Sequence, residues 1–419
     1  MTIEISGDAT TWSGTPTVSL GDGVTVGTVS LASPTDLFAD ITIADSAAIG
    51  KRDVTVMSGG KSYTLTQAFE LQSPVSVTTT GSVAQGSVAG YTIRQLDFGA
   101  PFDSTCGFSF FGFCLLYTNM SVAAPAGVTA TVDSVADYVV QGRLLIDVDA
   151  AAAGGALTVT SGPSGSQVTS TVGTPLAITA RQATALTAGT AASGTVANAG
   201  ESGLFSFSAT TGTAVPFTVS TQAQAPSLYL LPSTGHWSDM SSTGAVDSSL
   251  SPLFPPQVDA VATTSDTYYV VYVDDGSVSN YSVKASPVTL TAVAESDMNS
   301  ANDMQANAQS VSKAALVTNA SLNGVNDQDW YMFTIAAGDV GKHVHVTTSG
   351  DPATDTVVDV FGGAAGATDL GGGGVDAWYQ EDVLSDPIPA GTTTVYVQIK
   401  ASTGFNSGHN TYTAAIWLE

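Results

Sequence analysis

The sequence predicts an all-β protein built from several β-sandwich domains in tandem. Apolar and polar residues alternate with a period of two in many short segments, such as 40–43 (DITI), 53–56 (DVTV) and 395–399 (VYVQI), which is typical of half-buried strands. Clusters of Gly, Pro, Asn and Asp separate these segments about every ten residues, as turns do in sandwiches. Helical periodicity is nearly absent, and the best candidate for a helix of two or three turns is residues 302–312.

Charge and composition limit the classes of function. The chain has 419 residues, of which 36 are acidic and 10 basic, so its formal net charge is −26. Nucleic-acid binding needs clustered Lys and Arg, and the basic residues here are scattered. Binding to an anionic membrane surface is disfavoured for the same reason. No apolar run of 18 residues occurs and residues 1–30 show no signal-peptide pattern, so we expect neither a membrane span nor a leader.

Shifts in composition divide the chain into four predicted domains, at residues 1–73, 74–179, 180–290 and 291–419. We expect the second to be an immunoglobulin-like sandwich that contains both cysteines. The last two domains repeat each other at an offset near 126 residues, because residues 203–208 align with 329–334 and both domains end on a tyrosine-containing strand.

The first predicted domain carries short motifs of a known group. Residues 5–8 (ISGD) and 18–23 (VSLGDG) contain glycine turns, and residues 48–56 (AIGKRDVTV) run into a late strand. This domain resembles the IPT/TIG group of immunoglobulin-like domains. The resemblance implies a spacer or docking module.

The most informative stretch is residues 326–333 (NDQDWYMF), supported by residues 301–303 (AND) and 355–361 (DTVVDVF). It resembles the N-D-x-D-W-Y-x-F hallmark of bacterial pre-peptidase C-terminal (PPC) domains, which are β-sandwich modules of secreted peptidases and other exported proteins. The resemblance covers 291–419 and extends weakly to 180–290. It implies two jelly-roll-type sandwiches, of which the earlier is a degenerate copy.

Oxygen-bearing side chains cluster at the start of the strand in this motif. We predict that Trp330 and Met332 point into the core and that Asp327 and Asp329 lie at the mouth of the sandwich. Carboxylate and amide oxygens are the ligands that Ca²⁺ takes, and the resemblance implies calcium binding with help from the preceding linker. The candidate partners are Glu295, Asp297, Asn302 and Asp303. The alternative is that these Asp and Asn residues only cap turns.

Two cysteines, Cys106 and Cys114, lie close together in the sequence and no other cysteine competes for either. A local disulfide is the favoured interpretation, and two reduced buried thiols are the alternative. A disulfide together with few Lys and abundant Thr and Ser favours an extracellular or cell-surface location.

Sequence motifs for catalysis are lacking, so we expect no enzymatic activity. The chain contains no Gly-x-Ser-x-Gly, phosphate-loop or His-Glu-x-x-His motif. His343 and His345 could share one face of a strand and bind a metal weakly, but exposed strand histidines are the favoured interpretation.

We therefore predict a non-catalytic, secreted or surface-displayed structural or adhesive protein, such as a subunit of an extracellular fibre or appendage. Its expected partners are other copies of itself, or a protein or polysaccharide of the cell surface. The alternative is an accessory substrate-binding region of an exported protease or other hydrolase. In that case Trp237, Trp378 and Tyr379 would be exposed aromatic platforms.

Overall fold

The computed structural model of the chain describes all residues except 9, 45–46, 49, 72–74, 82, 96–105, 111–112, 118–119, 137–138, 152–153, 162–167, 172–174, 199–200, 222–225, 240–244, 248–256, 275–278, 296–301, 323–326, 351–355, 364–366, 373–380 and 402–409. The described elements are strands and short 3₁₀ helices, which confirms the all-β, tandem-sandwich prediction. Within this described part, no helix is long and apolar enough to span a bilayer.

The first domain is a small sandwich of two three-stranded sheets. Its strands are β1 (Thr2–Ser6), β2 (Thr17–Ser19), β3 (Val24–Leu31), β4 (Asp36–Ile43), β5 (Gly50–Ser58) and β6 (Lys61–Leu71). The sheet orders are β1-β4-β3 and β2-β5-β6. Leu37, Ala39 and Ile41 of β4 point inward at every second position, and Trp12 closes the core with its ring edge against Tyr63.

The second domain pairs a five-stranded sheet with a three-stranded sheet. Its strands are β7 (Val75–Thr80), β8 (Val88–Gln95), β9 (Cys106–Phe110), β10 (Phe113–Tyr117), β11 (Met120–Ala123), β12 (Val128–Ala130), β13 (Ser134–Ala136), β14 (Val139–Ile146), β15 (Thr158–Ser161) and β16 (Val168–Thr171). The orders are β12-β14-β8-β7, with β13 also on β14, and β11-β15-β16, while β9 and β10 form a separate hairpin. Val140, Leu144 and Ile146 of β14 are fully buried in the core.

The third domain is a sandwich of two larger sheets. Its strands are β17 (Thr184–Ala185), β18 (Ala191–Val196), β19 (Ser202–Ala209), β20 (Thr213–Thr221), β21 (Pro226–Leu231), β22 (Ala245–Asp247), β23 (Gln257–Ala262), β24 (Asp266–Asp274), β25 (Ser279–Ala285) and β26 (Val288–Thr289). One sheet has the order β17-β19-β24-β21-β22 and the other β18-β25-β20-β23, with β26 on β20. A 3₁₀ helix, Trp237–Asp239, follows β21.

The fourth domain has the same plan. Its strands are β27 (Thr291–Ala294), β28 (Gln309–Ser310), β29 (Ala315–Leu322), β30 (Gln328–Thr334), β31 (Val344–Gly350), β32 (Thr356–Gly362), β33 (Thr368–Gly372), β34 (Asp382–Leu384), β35 (Thr394–Ala401) and β36 (Asn410–Leu418). Two 3₁₀ helices, Gln305–Asn307 and Ala337–Asp339, interrupt them. The helix expected over 302–312 is therefore wrong, because this stretch holds only one 3₁₀ turn and the short strand β28.

The third and fourth domains share one strand order, as expected of a repeat. The sheet β17-β19-β24-β21-β22 corresponds position by position to β28-β30-β35-β32-β33, and in both the first pair is parallel. The sheet β18-β25-β20-β23 corresponds to β29-β36-β31-β34, which carries β27 as an additional edge strand. Phe205 and Tyr331 occupy equivalent inward positions in β19 and β30.

Buried contacts cross the boundary between the second and third domains, which we call the 2–3 junction. Its apolar cluster joins Val88 of the second domain to Leu204 and Trp237 of the third. The Trp237 indole is buried, and its Nε1–H donates to the carbonyl oxygen of Ile146 at 2.9 Å. The Trp237 backbone N–H donates to Asp147 Oδ1 at 2.9 Å, so the third domain is anchored into the second.

A second apolar cluster forms the 3–4 junction, between the third and fourth domains. It joins Ala214 and Leu290 to Leu316, Ala415 and Trp417. Trp417 is completely buried although it lies near the end of β36. The fourth domain therefore uses this fully buried tryptophan to pack against its neighbour rather than to fill its own core.

Candidate functional site

The predicted calcium-binding residues lie around one end of the fourth sandwich. Glu295 directly follows β27, Asn302 and Asp303 precede the 3₁₀ helix Gln305–Asn307, and Asp327 and Asp329 lie at the start of β30. Asp297 lies outside the described residues, as does Asn326. The backbone N–H of Trp330 donates to the carbonyl oxygen of Asn302 at 3.0 Å, which ties the linker to β30.

Asp329 points into the core, together with Tyr331 and Phe333. The prediction that Trp330 and Met332 face inward is wrong, because both lie on the outer face, where Trp330 stacks on Phe361 with ring centroids 5.4 Å apart. The Tyr412 hydroxyl donates to Asp329 Oδ2 at 2.6 Å, and the Tyr331 and Tyr412 hydroxyl oxygens are 2.7 Å apart. The buried carboxylate is thus bound by Tyr412, which is hydrogen-bonded in turn to Tyr331.

The side chains around Asp329 offer mainly oxygen atoms as possible metal ligands. Asn302 is fully buried, and neither polar atom of its side-chain amide has a hydrogen-bond partner among the described residues. An unsatisfied buried amide is unfavourable, which is a reason to expect a ligand there. Glu295 Oε2 accepts a hydrogen bond from the Ser321 N–H at 2.9 Å, and the Asp303 carbonyl accepts one from the Gln328 side chain at 2.9 Å.

The electrostatics of this end are strongly negative. Burial, reinforced by the charge of Asp329 and by Glu295 and Asp327, holds the pKa of Tyr331 well above its usual value. Burial and the charges of its neighbours likewise raise the pKa of Tyr412. A hard cation suits these oxygens. However, among the described residues no three of these carboxylates bring ligand oxygens within 4.8 Å of one another, so calcium binding stays a prediction.

The equivalent place in the third domain has a different construction. Gly203 stands where the fourth domain has Asp329, and the Tyr281 hydroxyl lies so close that a Cβ on Gly203 would be 2.0 Å from its oxygen. Glycine is needed here because the tyrosine ring occupies the space of a side chain. The third domain therefore replaces the carboxylate–tyrosine pair with a glycine–tyrosine contact.

His345 is deeply buried, so the favoured interpretation of an exposed strand histidine is wrong for this residue. It lies at the 3–4 junction beside Asp259, Asp382 and Glu419. Burial favours the neutral imidazole, but the charges of Asp259 and Asp382 outweigh it and raise the pKa of His345 well above its ordinary value. Burial raises the pKa of Asp259 to about 8.

His343 is separate from this cluster, and its Nδ1 lies 2.6 Å from the carbonyl oxygen of Ser385. Sequence reasoning missed the junction cluster because Asp259 comes from another domain, 86 residues earlier in the chain. The spacing of His343 and His345 was the available signal, and only one of the two takes part.

The aromatic platforms expected for a substrate-binding region are not supported at Trp237, which is buried in the 2–3 junction. Trp378 and Tyr379 lie outside the described residues. The side chains of both cysteines also lie outside them, but the hairpin register places Cys114 opposite Ser109 and Cys106 opposite Tyr117. The Cys106–Cys114 disulfide stays a prediction, which the intact mass with and without reductant will test.

Comparisons with known proteins give little guidance. No protein-family model matches the chain, and no curated protein matches it significantly. A Bacteroides ovatus surface glycan-binding protein, SGBP-B of a mixed-linkage glucan utilization locus solved with a mixed-linkage heptasaccharide, is 10% identical, with 68% of this chain and 71% of that chain covered and a TM-score of 0.15. The CUB1-EGF-CUB2 region of human MASP-1/3 is 6% identical, with 54% of this chain and 99% of that chain covered and a TM-score of 0.15.

Tripeptidyl peptidase 2 is 8% identical, with 82% of this chain and 33% of that chain covered and a TM-score of 0.18. Similarities this weak carry no inference about function. The resemblances to PPC and IPT/TIG domains therefore rest on the sequence motifs alone.

Proposed function

We propose that this protein is a non-catalytic structural or adhesive protein of the cell surface or extracellular space, and that domains two to four act as one stiff rod. The single observation that carries the proposal is that the domains interlock through buried side chains. Trp237 inserts into the second domain, and Trp417 fills the boundary between the third and fourth domains. Flexible multidomain enzymes move about small, polar interfaces instead.

Polar contacts reinforce the apolar ones at the 2–3 junction. The Arg181 guanidinium donates to the carbonyl oxygens of Gln85 and Gly86 in the second domain, at 3.1 and 2.8 Å, and to that of Ser202 in the third, at 2.6 Å. Because a planar guanidinium holds its donors in a fixed fork, these contacts fix the angle between domains as well as their separation. A fixed geometry suits a protein that bears load or spaces an adhesive surface.

A second candidate function is an accessory region that binds a polymer for an exported hydrolase. The observation in its favour is a cleft of about 710 Å³ at the 3–4 junction. Pro216, Lys284 and Glu419 contribute to its lining. A cleft of this size is within the range of ligand sites.

Electron microscopy of the concentrated full chain distinguishes the two functions. A structural subunit should form regular filaments or ordered arrays, and immunogold labelling should place the protein on the outside of the cells that produce it. A chain that stays monomeric, and that sediments with insoluble polysaccharide but not alone, would favour the accessory function and contradict the structural one.

We also propose that the oxygen-bearing side chains at the start of β30 and in the preceding linker bind Ca²⁺. The central ligands are Asp327, Asp329 and Asn302. The further candidate ligands are Glu295, Asp297 and Asp303. Support comes from the unsatisfied buried amide of Asn302 and from the concentrated negative charge. If free Ca²⁺ is a hundredfold above its dissociation constant, binding adds about 2.7 kcal/mol to stability. Calorimetry of the full chain in Ca²⁺ and in chelator tests this, with Asp327→Asn as the variant. Equal melting temperatures for the wild type would leave these residues as turn caps.

A further inference from the structure

The 3–4 junction contains a buried group of titratable side chains that no role described above requires. Asp259 comes from β23 of the third domain, while His345 and Asp382 come from β31 and β34 of the fourth. One ligand atom of each lies within 4.8 Å of the other two. The side chains of Asp259 and His345 are 2% and 3% exposed, and that of Asp382 is 27% exposed.

We propose that Asp259, His345 and Asp382 form a binding site for a divalent transition-metal ion of the Zn²⁺ class, shared between the third and fourth domains. His345 Nε2 faces both carboxylates, at 3.4 Å from Asp259 Oδ2 and 2.5 Å from Asp382 Oδ1. A single proton on Nε2 can serve only one of these acceptors well. A metal ion binds all three ligand atoms at once.

One of the two histidine–carboxylate distances already fits a zinc site, and the other needs a small adjustment. With zinc–ligand bonds of about 2.0–2.2 Å in a tetrahedron, neighbouring ligand atoms lie about 3.3–3.6 Å apart. The 3.4 Å between Asp259 and His345 matches this separation. The Asp382 carboxylate must withdraw by about 1 Å to match it, which its partial exposure permits. The fourth position then belongs to water or to a ligand from outside.

The surroundings of His345 have the features of an outer coordination shell. Its second ring nitrogen, Nδ1, lies 3.4 Å from Glu419 Oε1, and metal-binding histidines usually donate this other N–H to a carboxylate. The Gln257 amide nitrogen lies 3.3 Å from oxygens of both Asp259 and Glu419. The Trp417 indole stacks on the imidazole with ring centroids 4.2 Å apart. The ring is therefore fixed in plane and in rotation.

Charge also favours a divalent cation. Asp259, Asp382 and Glu419 all face the one imidazole, and each forms an ion pair with His345. A single positive charge on His345 cannot balance three carboxylates in their ionised forms, and buried uncompensated charge is costly. A nitrogen ligand among carboxylates favours Zn²⁺ over Ca²⁺, which takes oxygen ligands. Because the ligands come from both domains, the bound ion would cross-link them.

Another histidine–carboxylate group provides a matched control. His236 Nε2 lies 3.2 Å from Asp149 Oδ1, and Asp147 completes the group at the 2–3 junction. Its side chains are more exposed, at 38% for His236 and 70% for Asp149. His236→Gln therefore removes a histidine of similar neighbourhood without touching the proposed site.

The test is a titration of the full chain, stripped with chelator, with ZnCl₂ in buffer containing excess Ca²⁺, followed by calorimetry. We expect His236→Gln to keep the tightest Zn²⁺ site, Asp382→Asn to weaken it at least tenfold, and His345→Gln to abolish it. Glu419→Gln should weaken it 10–100-fold, as outer-shell changes do. Co²⁺ should give intense four-coordinate visible absorption in the wild type, lost in His345→Gln.

Circular dichroism of each variant checks that it is folded, and Asp382→Asn, at a partly exposed position, tests the site even if His345→Gln does not fold. The proposal is overturned if the wild type binds no Zn²⁺, since the cluster is then an imidazolium held by carboxylates. Zn²⁺ binding that is lost in His236→Gln but kept in Asp382→Asn overturns it as well.

Discussion

Replacing Arg181 by alanine should weaken the 2–3 junction more than any exposed substitution can. The side chain is half-buried at the start of the third domain, and its guanidinium contacts three backbone carbonyl oxygens, two in the second domain and one in the third. The backbone N–H of Arg181 also donates to the Gln85 side chain at 3.2 Å. One cation thus satisfies acceptors on both domains.

The expected loss of unfolding free energy follows from the number of carbonyl oxygens that Arg181 contacts. Hydrogen bonds from a charged donor contribute about 1.5–3 kcal/mol each, so three of them total at least about 4.5 kcal/mol. Water can enter the space left by the half-buried side chain, so we expect Arg181→Ala to lower the free energy of unfolding by about 3 kcal/mol. Arg181→Lys keeps the charge, but a single ammonium cannot reach all three carbonyls, and about half of the loss should remain.

Differential scanning calorimetry of the full chain measures the loss of stability and shows which domains unfold separately. In Arg181→Ala the second and third domains should unfold in separate transitions, because their coupling is weakened. Arg143→Ala is the matched control, since Arg143 forms an exposed pair with Asp133 at 3.2 Å. That pair should contribute less than about 1 kcal/mol. Equal effects of the two alanine substitutions would refute the claim that Arg181 locks the junction.

Four further substitutions, at three positions, give separate tests. Trp237→Ala should cost about 3–5 kcal/mol of unfolding free energy, whereas Trp237→Phe should lose only about 1–2 kcal/mol for the missing indole N–H donor; similar losses would contradict the packing role. Tyr412→Phe should cost about 1.5–3 kcal/mol because Asp329 loses a buried donor, and an unchanged melting temperature would contradict this. Hydrogen bonding to Lys313 lowers the pKa of Asp339 to about 2. The ionised form therefore stabilises the fold above about pH 4, the unfolded value, and Asp339→Asn should cost about 1–2 kcal/mol at pH 7, a difference that fades as pH falls through 2.

The sequence predicts the strand content well because one-sided burial imposes a period of two. Leu37, Ala39 and Ile41 alternate with polar neighbours, and all three are buried. Which face of β30 points into the core is not predictable in this way, because both of its faces carry aromatic residues. Trp330 stacks on the outside while Tyr331 fills the core, so hydropathy does not distinguish the two faces.

Junction residues are harder to predict, since their partners belong to another domain. Trp237 follows His236 in a polar loop and is adjacent to Ser238, so the local sequence suggests exposure. Its burial depends on the second domain, which supplies the Ile146 carbonyl and an apolar cluster. In the same way, the environment of His345 depends on Asp259, and no short motif contains both.

The distance distribution between the second and fourth domains tests most directly whether they form one stiff rod. Double electron–electron resonance can measure this distribution on the full chain, with spin labels carried by unnatural amino acids at Thr129 and Thr334. Both are exposed strand positions, the first in the second domain and the second in the fourth. Interlocked junctions predict a single narrow distribution in the wild type and a broader one in Arg181→Ala. A broad distribution in the wild type, unchanged by the substitution, would contradict a rigid arrangement of these domains.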